Sequence, residues 1–324
     1  MTVRANKPAF NVREKLKELE RPIGVKGNEL LRAETAQDAR DLVSAGRKNV
    51  LINGDFQVSQ RGNYSSATSA VDDAYFLDRW KIRTSGPTSS IQRQLVTLPN
   101  NQQAYSLKHA ATSTGSGYHN IRQVIEDIYP LSKQTITLSC WIRGQGQPAY
   151  FRLWGLENIG DPIYLTSEWQ HVSRQYTFGV LSSTTDGNAN GATMSIGNYN
   201  GNVSITSGDY YEVAQFQIEI GKNATEFEHR SYGEELALCQ RYYKKINDGS
   251  GNDILSYVQY TSVNRRFQLV HSPPLRSTPV VTLTEGVSGN VYRNTKDVYY
   301  RWYSAAYDAG TANYISNLEF DAEL

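Results

Sequence analysis

The sequence predicts a mainly β protein: a short-helix N-terminal arm, a jelly-roll β-sandwich, and a smaller C-terminal β-sandwich module preceded by a short helix. Its 324 residues contain 22 Tyr and 25 Gly but only 2 Met, a composition typical of β-rich architecture with many turns. From Asn49 onward, short alternating runs are separated by Gly, Asn, Ser and Pro clusters. The absence of long helical patterns between these runs favours a two-sheet sandwich over a parallel α/β sheet.

Residues 1–48 differ from the rest because 18 of them are charged and Phe10 is their only aromatic residue. Asn11 with Glu14, and Thr35 with Asp38, have the spacing of helix N-terminal caps, and each pair precedes a narrow apolar stripe. Helices this short are marginal alone, so we expect an attachment arm that docks on another surface. A solvated, frayed tail is the alternative. The predicted docking residues are Phe10, Val12, Leu16, Leu19, Leu30, Leu31, Leu42 and Val43.

We place the jelly-roll domain at residues 49–232. Within it, Asn53-Gly54 predicts a turn or bulge, and Trp80 predicts a buried indole near an ion pair of Asp78 and Arg79. Alternation is clearest, though imperfect, over Tyr210–Ile220. The predicted strands are Val50–Val58, Arg79–Arg83, Ser90–Leu98, Ala104–Ala110, Gln134–Arg143, Tyr150–Trp154, Trp169–Phe178, Thr193–Ile196 and Tyr210–Ile220.

The C-terminal module is placed at residues 233–324. Ser231 and Glu234 predict a capping box before a helix that runs to Tyr243. A small antiparallel sandwich packed on this helix is the simplest architecture for the remaining residues. The predicted strands are Ile254–Thr261, Arg266–His271, Val280–Glu285, Val298–Ser304 and Tyr314–Glu319.

Charge and hydropathy exclude several classes of partner. Lys and Arg number 33 against 32 Asp and Glu, so no net field attracts the chain to nucleic acid. The sequence has neither an apolar run of membrane-spanning length nor the apolar core of a signal peptide, so we expect a soluble protein synthesised in the cytoplasm without membrane insertion. Cys140 and Cys239 lie far apart and outside any CxxC motif, which predicts two buried thiols.

Motifs that carry catalysis are missing from the sequence. The five histidines stand singly, and no HExxH, GxSxG, P-loop or GxGxxG sequence occurs. Acidic residues are present, but nothing marks two of them as a hydrolytic pair. We therefore expect a non-enzymatic protein without a cofactor or catalytic metal. A structural Ca²⁺ stays open, with Asp55, Asp78 and Asp209 as its candidate ligands.

Several sequence segments, in order along the chain, resemble those of one protein family. They are Lys7-Pro-Ala-Phe-Asn-Val-Arg-Glu-Lys-Leu16, Leu30-Leu-Arg-Ala-Glu-Thr35, Asn49-Val-Leu-Ile-Asn-Gly-Asp-Phe-Gln-Val-Ser-Gln-Arg-Gly62 with Asp78-Arg-Trp80, Glu212-Val-Ala-Gln-Phe-Gln-Ile-Glu-Ile-Gly221, and Glu235-Leu-Ala-Leu-Cys-Gln-Arg-Tyr-Tyr243. This series resembles bacteriophage tail-fibre and related virion proteins of T7-like short-tailed marine phages, which contain a jelly roll similar to carbohydrate-binding modules. The resemblance implies a place in the phage tail, docking of the arm on other virion proteins, a homo-oligomer (a trimer is expected), host adhesion, and no transferable catalytic set.

Adhesion to a host-surface glycan requires flat aromatic faces beside polar side chains. Aromatic residues next to turn residues or in the densest aromatic cluster are the candidates: Trp154, Trp169, Tyr199, Tyr299, Tyr300, Trp302, Tyr303 and Tyr307. The alternative is a purely structural virion component that connects or cements tail or capsid proteins, with these aromatics buried in cores or subunit contacts.

Overall fold

The computed structural model describes residues 48–126, 128–153, 158–180, 192–198, 203–246, 255–258, 265–271, 273–285, 290–303 and 312–323. Residues 1–47 of the predicted arm, which include its eight docking residues, lie outside this part of the chain. Residues from Arg47 onward form one compact unit, so the sandwich and the C-terminal module can be described together.

Fourteen strands form the predicted sandwich. They are β1 (Thr68–Ser69), β2 (Tyr75–Leu77), β3 (Trp80–Thr84), β4 (Ser89–Thr97), β5 (Gln103–Ala111), β6 (Gly115–Ser116), β7 (His119–Ile125), β8 (Thr135–Gln145), β9 (Ala149–Leu153), β10 (Asn158–Ile163), β11 (Gln170–Thr177), β12 (Ala192–Asn198), β13 (Ser204–Ile205) and β14 (Tyr210–Ile220).

Two six-stranded antiparallel sheets make up the body of the sandwich. The front sheet has the order β1-β4-β5-β14-β8-β11, and the back sheet has the order β10-β9-β12-β7-β3-β2. One continuous apolar core contains side chains from both, including Leu107 and Leu138 of the front sheet and Ile121 and Phe151 of the back sheet. The mainly β sandwich predicted from the sequence is confirmed.

Side-chain alternation sets the two faces of the front sheet. In β8, the even-numbered side chains Ile136, Leu138, Cys140 and Ile142 are buried in the core. Successive side chains of a strand point to opposite faces. The odd-numbered residues of β8 therefore lie on the outer face.

The predicted strand Val50–Val58 is wrong, since this segment is a chain of bends and turns. Asn53 and Phe56 have φ angles of 59° and 58°, which no regular strand contains. Side chains from elsewhere satisfy its backbone, because Ile52 N donates to Gln123 Oε1 and Asn53 N donates to Glu235 Oε1. The segment is thus folded by distant partners instead of a neighbouring strand.

The turn predicted at Asn53-Gly54 and the buried indole of Trp80 are both confirmed. Trp80 is fully buried, its Nε1 donates to Asn53 O at 2.8 Å, and its ring stacks on Phe216 with centroids 5.8 Å apart. A Cβ on Gly54 would lie 2.2 Å from Phe216 O, so only glycine fits there. The expected Asp78–Arg79 ion pair is absent from the salt bridges of the described residues, where Arg79 pairs with Glu323.

The back sheet contains three strands that the sequence did not predict, β2, β7 and β10. Strand β7 lies at the centre of the sheet, yet His119, Asn120 and Gln123 are buried polar residues. They interrupt the apolar alternation that would have indicated a strand. Gln123, for example, hydrogen-bonds both the N–H and the carbonyl of Ile52.

The C-terminal module begins with helix α1 (Tyr232–Cys239), whose predicted capping box between Ser231 and Glu234 is present. Its strands are β15 (Tyr243–Ile246), β16 (Leu255–Val258), β17 (Arg265–Val270), β18 (Val280–Glu285), β19 (Asn290–Asn294), β20 (Val298–Tyr303) and β21 (Ala312–Asp321). Strand β21 pairs with β15, β16 and β18, while β17, β20 and β19 form a second sheet. Of the helices described here, none is long and apolar enough to span a bilayer.

Buried charges join the C-terminal module to the sandwich. Arg79 is 1% exposed, and its Nη1 lies 2.5 Å from Glu323 Oε2. Arg61 pairs with Asp321 at 2.9 Å and stacks on the Tyr243 ring. Cys140 and Cys239 are free and buried, as predicted.

Candidate functional site: a cleft on the front sheet

The outer face of the front sheet carries a tryptophan at its centre. Trp141 is on β8, where its pairing partners are His171 on β11 and Ala214 on β14. The Trp141 and His171 rings contact each other with centroids 5.2 Å apart and planes tilted by 60°. On the β14 side of Trp141, the neighbouring residues across the sheet are Ala214 and then Ser106. Both side chains are small, so the indole projects beyond them from the outer face of the sheet. A partly open aromatic surface results.

This surface belongs to a cleft of about 390 Å³. The sheet provides its floor, the β4–β5 hairpin provides one wall, and the loop after β14 provides the other. Among the described residues, the lining is Asn100, Gln102, Ser139, Trp141, His171, Gln215, Ala224, Thr225, Glu226 and Phe227. Aromatic, amide and hydroxyl groups therefore converge in one concave site.

A β-bulge brings Gln215 into the cleft. The register between β14 and β8 shifts between Ala214 and Gln217, and Gln215 has a φ angle of 50°. The extra residue leaves Phe216 and Ile218 in the core. Gln215 lies on the cleft side instead, where its Nε2 donates to Gln102 Oε1 at 3.0 Å. The hairpin and the floor are thus linked by an amide–amide hydrogen bond.

The wall after β14 is held by a buried carboxylate. Glu219 is 4% exposed and accepts hydrogen bonds from Thr225 N at 2.8 Å and Thr225 Oγ1 at 2.7 Å. Gln217 Nε2 donates to the same carboxylate at 3.2 Å. These bonds position Thr225, Glu226 and Phe227 at the edge of the cleft.

An ion-pair network lies beside the cleft on the same face. Glu212 is 1% exposed and accepts from Arg143 Nε at 2.8 Å, from Ser106 Oγ at 2.6 Å and from Gln94 Nε2 at 3.0 Å. The Arg143 guanidinium also lies 4.7 Å from the Trp169 ring centroid. Both Trp141 and Trp169 pack on the small apolar cluster of Leu98, Ala104 and Ala214.

The cleft carries no lysine or arginine among its described lining residues. Burial lowers the pKa of His171, so its imidazole is neutral near pH 7. The Lys48 ammonium lies 3.4 Å from Thr225 Oγ1, the hydroxyl that also donates to Glu219, so this cation is adjacent to a carboxylate. Glu226 leaves the cleft with an excess of negative charge.

The structure separates the eight predicted aromatic candidates. Trp169 is half-buried just before β11, where it packs on the same small apolar cluster as Trp141. The prediction that Tyr299 binds a glycan is wrong. Its side chain is fully buried and packs on Phe320 with ring centroids 5.3 Å apart, so no face of the ring is open to a sugar. Only the backbone of Tyr300, Trp302 and Tyr303 is described, within β20. Trp154, Tyr199 and Tyr307 lie outside the described residues.

Sequence reasoning missed Trp141 and His171, which form the aromatic surface. The signal was present in the predicted strand Gln134–Arg143. Four apolar residues at alternate positions from Ile136 to Ile142 assign the odd positions to the other face, and Trp141 is an odd position.

The three aspartates considered for calcium are held by separate hydrogen bonds. Asp55 accepts from Gln57 N, Asp78 from Gln60 N, and Asp209 from Thr206 N. Burial, with a contribution from Glu235, raises the pKa of Asp55 to about 6. No group of three His, Cys, Asp or Glu in the described part of the chain is placed to hold a metal ion.

The sequence matches no family model and no curated protein. Among solved structures, the chain is similar to a putative sugar binding protein from Bacteroides thetaiotaomicron, with 14% identity over 54% of this chain and 100% of that one and a TM-score of 0.36. It is also similar to TmCBM61, solved with β-1,4-galactotriose, with 14% identity over 54% and 100% of the two chains and a TM-score of 0.29.

A third solved structure is the enzymatically active domain of bacteriophage CBA120 tailspike protein 4. It is 12% identical over 53% of this chain and 21% of that one, with a TM-score of 0.31.

Proposed function

We propose that this protein binds glycans through the front-sheet cleft and serves as a tail-fibre-like adhesion component of a phage particle. The observation that carries the binding proposal is the contact of Trp141 with His171 beside the Gln102–Gln215 amide pair. An aromatic ring offers a flat apolar face to the apolar side of a pyranose. Amides and hydroxyls a few ångströms away can bond the sugar hydroxyls.

Among the described residues, the lining of the cleft favours binding over hydrolysis. Its only lining carboxylate among the described residues is Glu226, whereas glycosidases need two carboxyl groups that flank the scissile bond. Binding without hydrolysis suits adhesion, in which the surface sugar must stay intact. Several weak sites on one oligomer that engage at once would bind with an avidity far above the affinity of a single site.

The phage role is supported by the ordered phrases that resemble tail-fibre proteins, from Lys7 to Tyr243. In this proposal, residues 1–48 dock on other tail proteins, while the sandwich and C-terminal module are presented to the host surface in a homo-oligomer. A purely structural component that cements virion parts would instead have its cleft covered in the particle.

Glycan-array and host-cell binding by the full chain test the glycan proposal. We expect Trp141→Ala to lower binding at least about 10-fold, since it removes the stacking ring. Tyr164→Ala is the matched control, because Tyr164 is a 72% exposed aromatic outside the cleft. Circular dichroism and thermal unfolding establish that both variants fold. Equal binding by a folded Trp141→Ala variant contradicts the proposal.

The particle role has its own test. A protein that begins at Asn49 is expressed in place of the full chain during phage assembly, and its incorporation is measured by immunoblot of purified particles. We expect it to be missing from them. Normal incorporation would contradict docking through the arm.

A further inference from the structure

The conformation of Gln215 is the most unusual feature of the front sheet. Seven described non-glycine residues have positive φ angles, and Gln215 is the one of these that lies inside a strand. A left-handed conformation is unfavourable for an L-residue, so the surrounding structure must impose it. Strain of this kind is concentrated at functional sites.

The surrounding contacts show what imposes the bulge. Phe216 N donates to Gly54 O at 2.8 Å, and Asn49 Nδ2 donates to Phe216 O at 3.1 Å, so the backbone after the bulge bonds the 49–54 segment. None of these bonds involves the Gln215 side chain. The fold therefore needs the bulge at this position but does not need a glutamine there.

The amide of Gln215 is placed where it can act on a ligand. It lies on the cleft floor beside Trp141 and is only 4% exposed. One of its N–H groups is used by Gln102. Among the described residues, Gln215 Oε1 and Gln102 Nε2 have no hydrogen-bond partner, so this amide pair keeps one acceptor and one donor for a ligand.

We infer that the cleft takes an uncharged pyranoside, that the Gln102–Gln215 pair bonds two of its neighbouring hydroxyls, and that sugars bearing a carboxylate are rejected. This inference rests on the proposed glycan function and names its ligand class. A hydroxyl both donates and accepts, so two adjacent hydroxyls satisfy the free acceptor and the free donor together. A carboxylate only accepts, and it would enter a cleft in which Glu226 has no cationic partner among the lining residues.

Three matched pairs of oligosaccharides test the ligand class: gluco- against glucurono-, galacto- against galacturono-, and manno- against mannuronooligosaccharides, titrated into the full chain by calorimetry. Members of a pair share ring stereochemistry and differ at C6. We expect at least one neutral member to bind with a dissociation constant at least about 10-fold lower than that of its acidic partner, and Trp141→Ala to abolish that binding.

Gln215→Gly tests the role of the amide, because glycine keeps the left-handed bulge and removes the side chain. We expect folding to be preserved and affinity for the neutral sugar to fall about 3- to 10-fold, the size of a lost neutral hydrogen bond. Gln145→Ala, an exposed glutamine on the outer face of β8 outside the cleft, should leave the affinity unchanged.

The outcomes distinguish the two proposals. Trp141-dependent binding of acidic sugars as tight as that of neutral ones, or a folded Gln215→Gly variant with full affinity, overturns the inference and leaves the glycan function standing. Failure of all six oligosaccharides to bind at millimolar concentration overturns the inference together with the glycan function.

Discussion

Arg79 and Glu323, 244 positions apart in the sequence, form a buried ion pair that ties the end of the C-terminal module to the sandwich. Burial is the largest single influence and opposes the charge on Arg79, but the combined effects of Glu323, Tyr242 and Tyr75 outweigh it and raise the pKa of the guanidinium. The Arg79 Cζ also lies 3.5 Å from the centroid of the Tyr242 ring. Glu323 therefore stabilises the buried positive charge of Arg79 at the junction between the sandwich and the C-terminal module.

We expect Glu323→Ala to destabilise the protein by about 3–5 kcal/mol, because it leaves a buried cation without its partner. Chemical unfolding measures the change. Asp297→Ala is the control, since Lys296 and Asp297 form an ion pair whose side chains are both more than half exposed. It should cost at most about 1 kcal/mol. Equal losses of unfolding free energy in the two variants would contradict the idea that burial makes the Arg79–Glu323 pair important for stability.

Two histidines in the sandwich core predict acid sensitivity. The rings of His109 and His119 have centroids 3.9 Å apart, and His109 also hydrogen-bonds Tyr211 Oη and Ser89 Oγ. Burial lowers the pKa of His119 to about 4 and lowers the pKa of His109 as well. Between pH 6.5 and 4 the unfolded chain therefore binds protons that the folded chain does not. Stability should decrease as the pH falls through this window.

The expected slope is up to about 1.4 kcal/mol per pH unit for each histidine. Asp55 acts in the opposite direction, because its raised pKa lets the folded state bind a proton below about pH 6. His119→Phe should flatten the dependence by about one proton. Unfolding free energies at about pH 6.5, 5.5 and 4.5 measure both slopes, and identical slopes in the variant and the parent would refute the assignment to His119.

The ion pair beside the cleft predicts non-additive substitutions. Arg143→Met should destabilise by about 1–3 kcal/mol, because Glu212 stays buried while its cationic partner, itself 30% exposed, is lost. Adding Glu212→Gln should recover at least half of this cost, since a neutral amide can still accept from Ser106. A double-mutant cycle in urea measures the coupling. Additive costs would show that the charges do not interact.

Alanine substitutions at two glycines, Gly117 and Gly233, should change the stability of the protein in opposite directions. A Cβ on Gly117 would lie 1.5 Å from Ser85 O, so Gly117→Ala must displace backbone and should cost at least about 2 kcal/mol. Gly233 lies in α1, where an added Cβ would meet no atom within 4 Å, so Gly233→Ala should stabilise by about 0.5–1 kcal/mol. Thermal unfolding of both variants measures the signs. A destabilised Gly233→Ala or a neutral Gly117→Ala would be contrary to the packing described.

The local sequence pattern was sufficient to predict most strands of the front sheet. The bounds of β14 were predicted to the residue, and its imperfect alternation, Val213-Ala-Gln-Phe216, is where the bulge occurs. Trp80 was predicted as core and is fully buried. These features depend on period-2 patterning and on the size of one side chain, which are readable without knowledge of the fold.

Features that depend on distant partners could not be read in this way. The 49–58 segment has apolar residues typical of a strand, but its backbone is bonded by Gln123 and Glu235, which are 71 and 182 positions away from their partners. The same applies to β7, whose buried Gln123 amide finds its two partners on the Ile52 backbone only in the folded protein. In the cleft, the pairing of Trp141 with His171 depends on the register of β8 with β11.

The wide separation of Arg79 from Glu323 also constrains biosynthesis. When the ribosome has completed the strands of the sandwich, the carboxylate that neutralises its buried guanidinium has yet to be polymerised. A nascent sandwich would hold an unmatched charge beside the position that the Tyr242 ring later takes, and the Ala322–Tyr242 backbone hydrogen bond could form only after residues 321–323 emerge. Prematurely terminated chains would thus keep Arg79 without its carboxylate partner, and chaperones and proteases could recognise this unfinished junction.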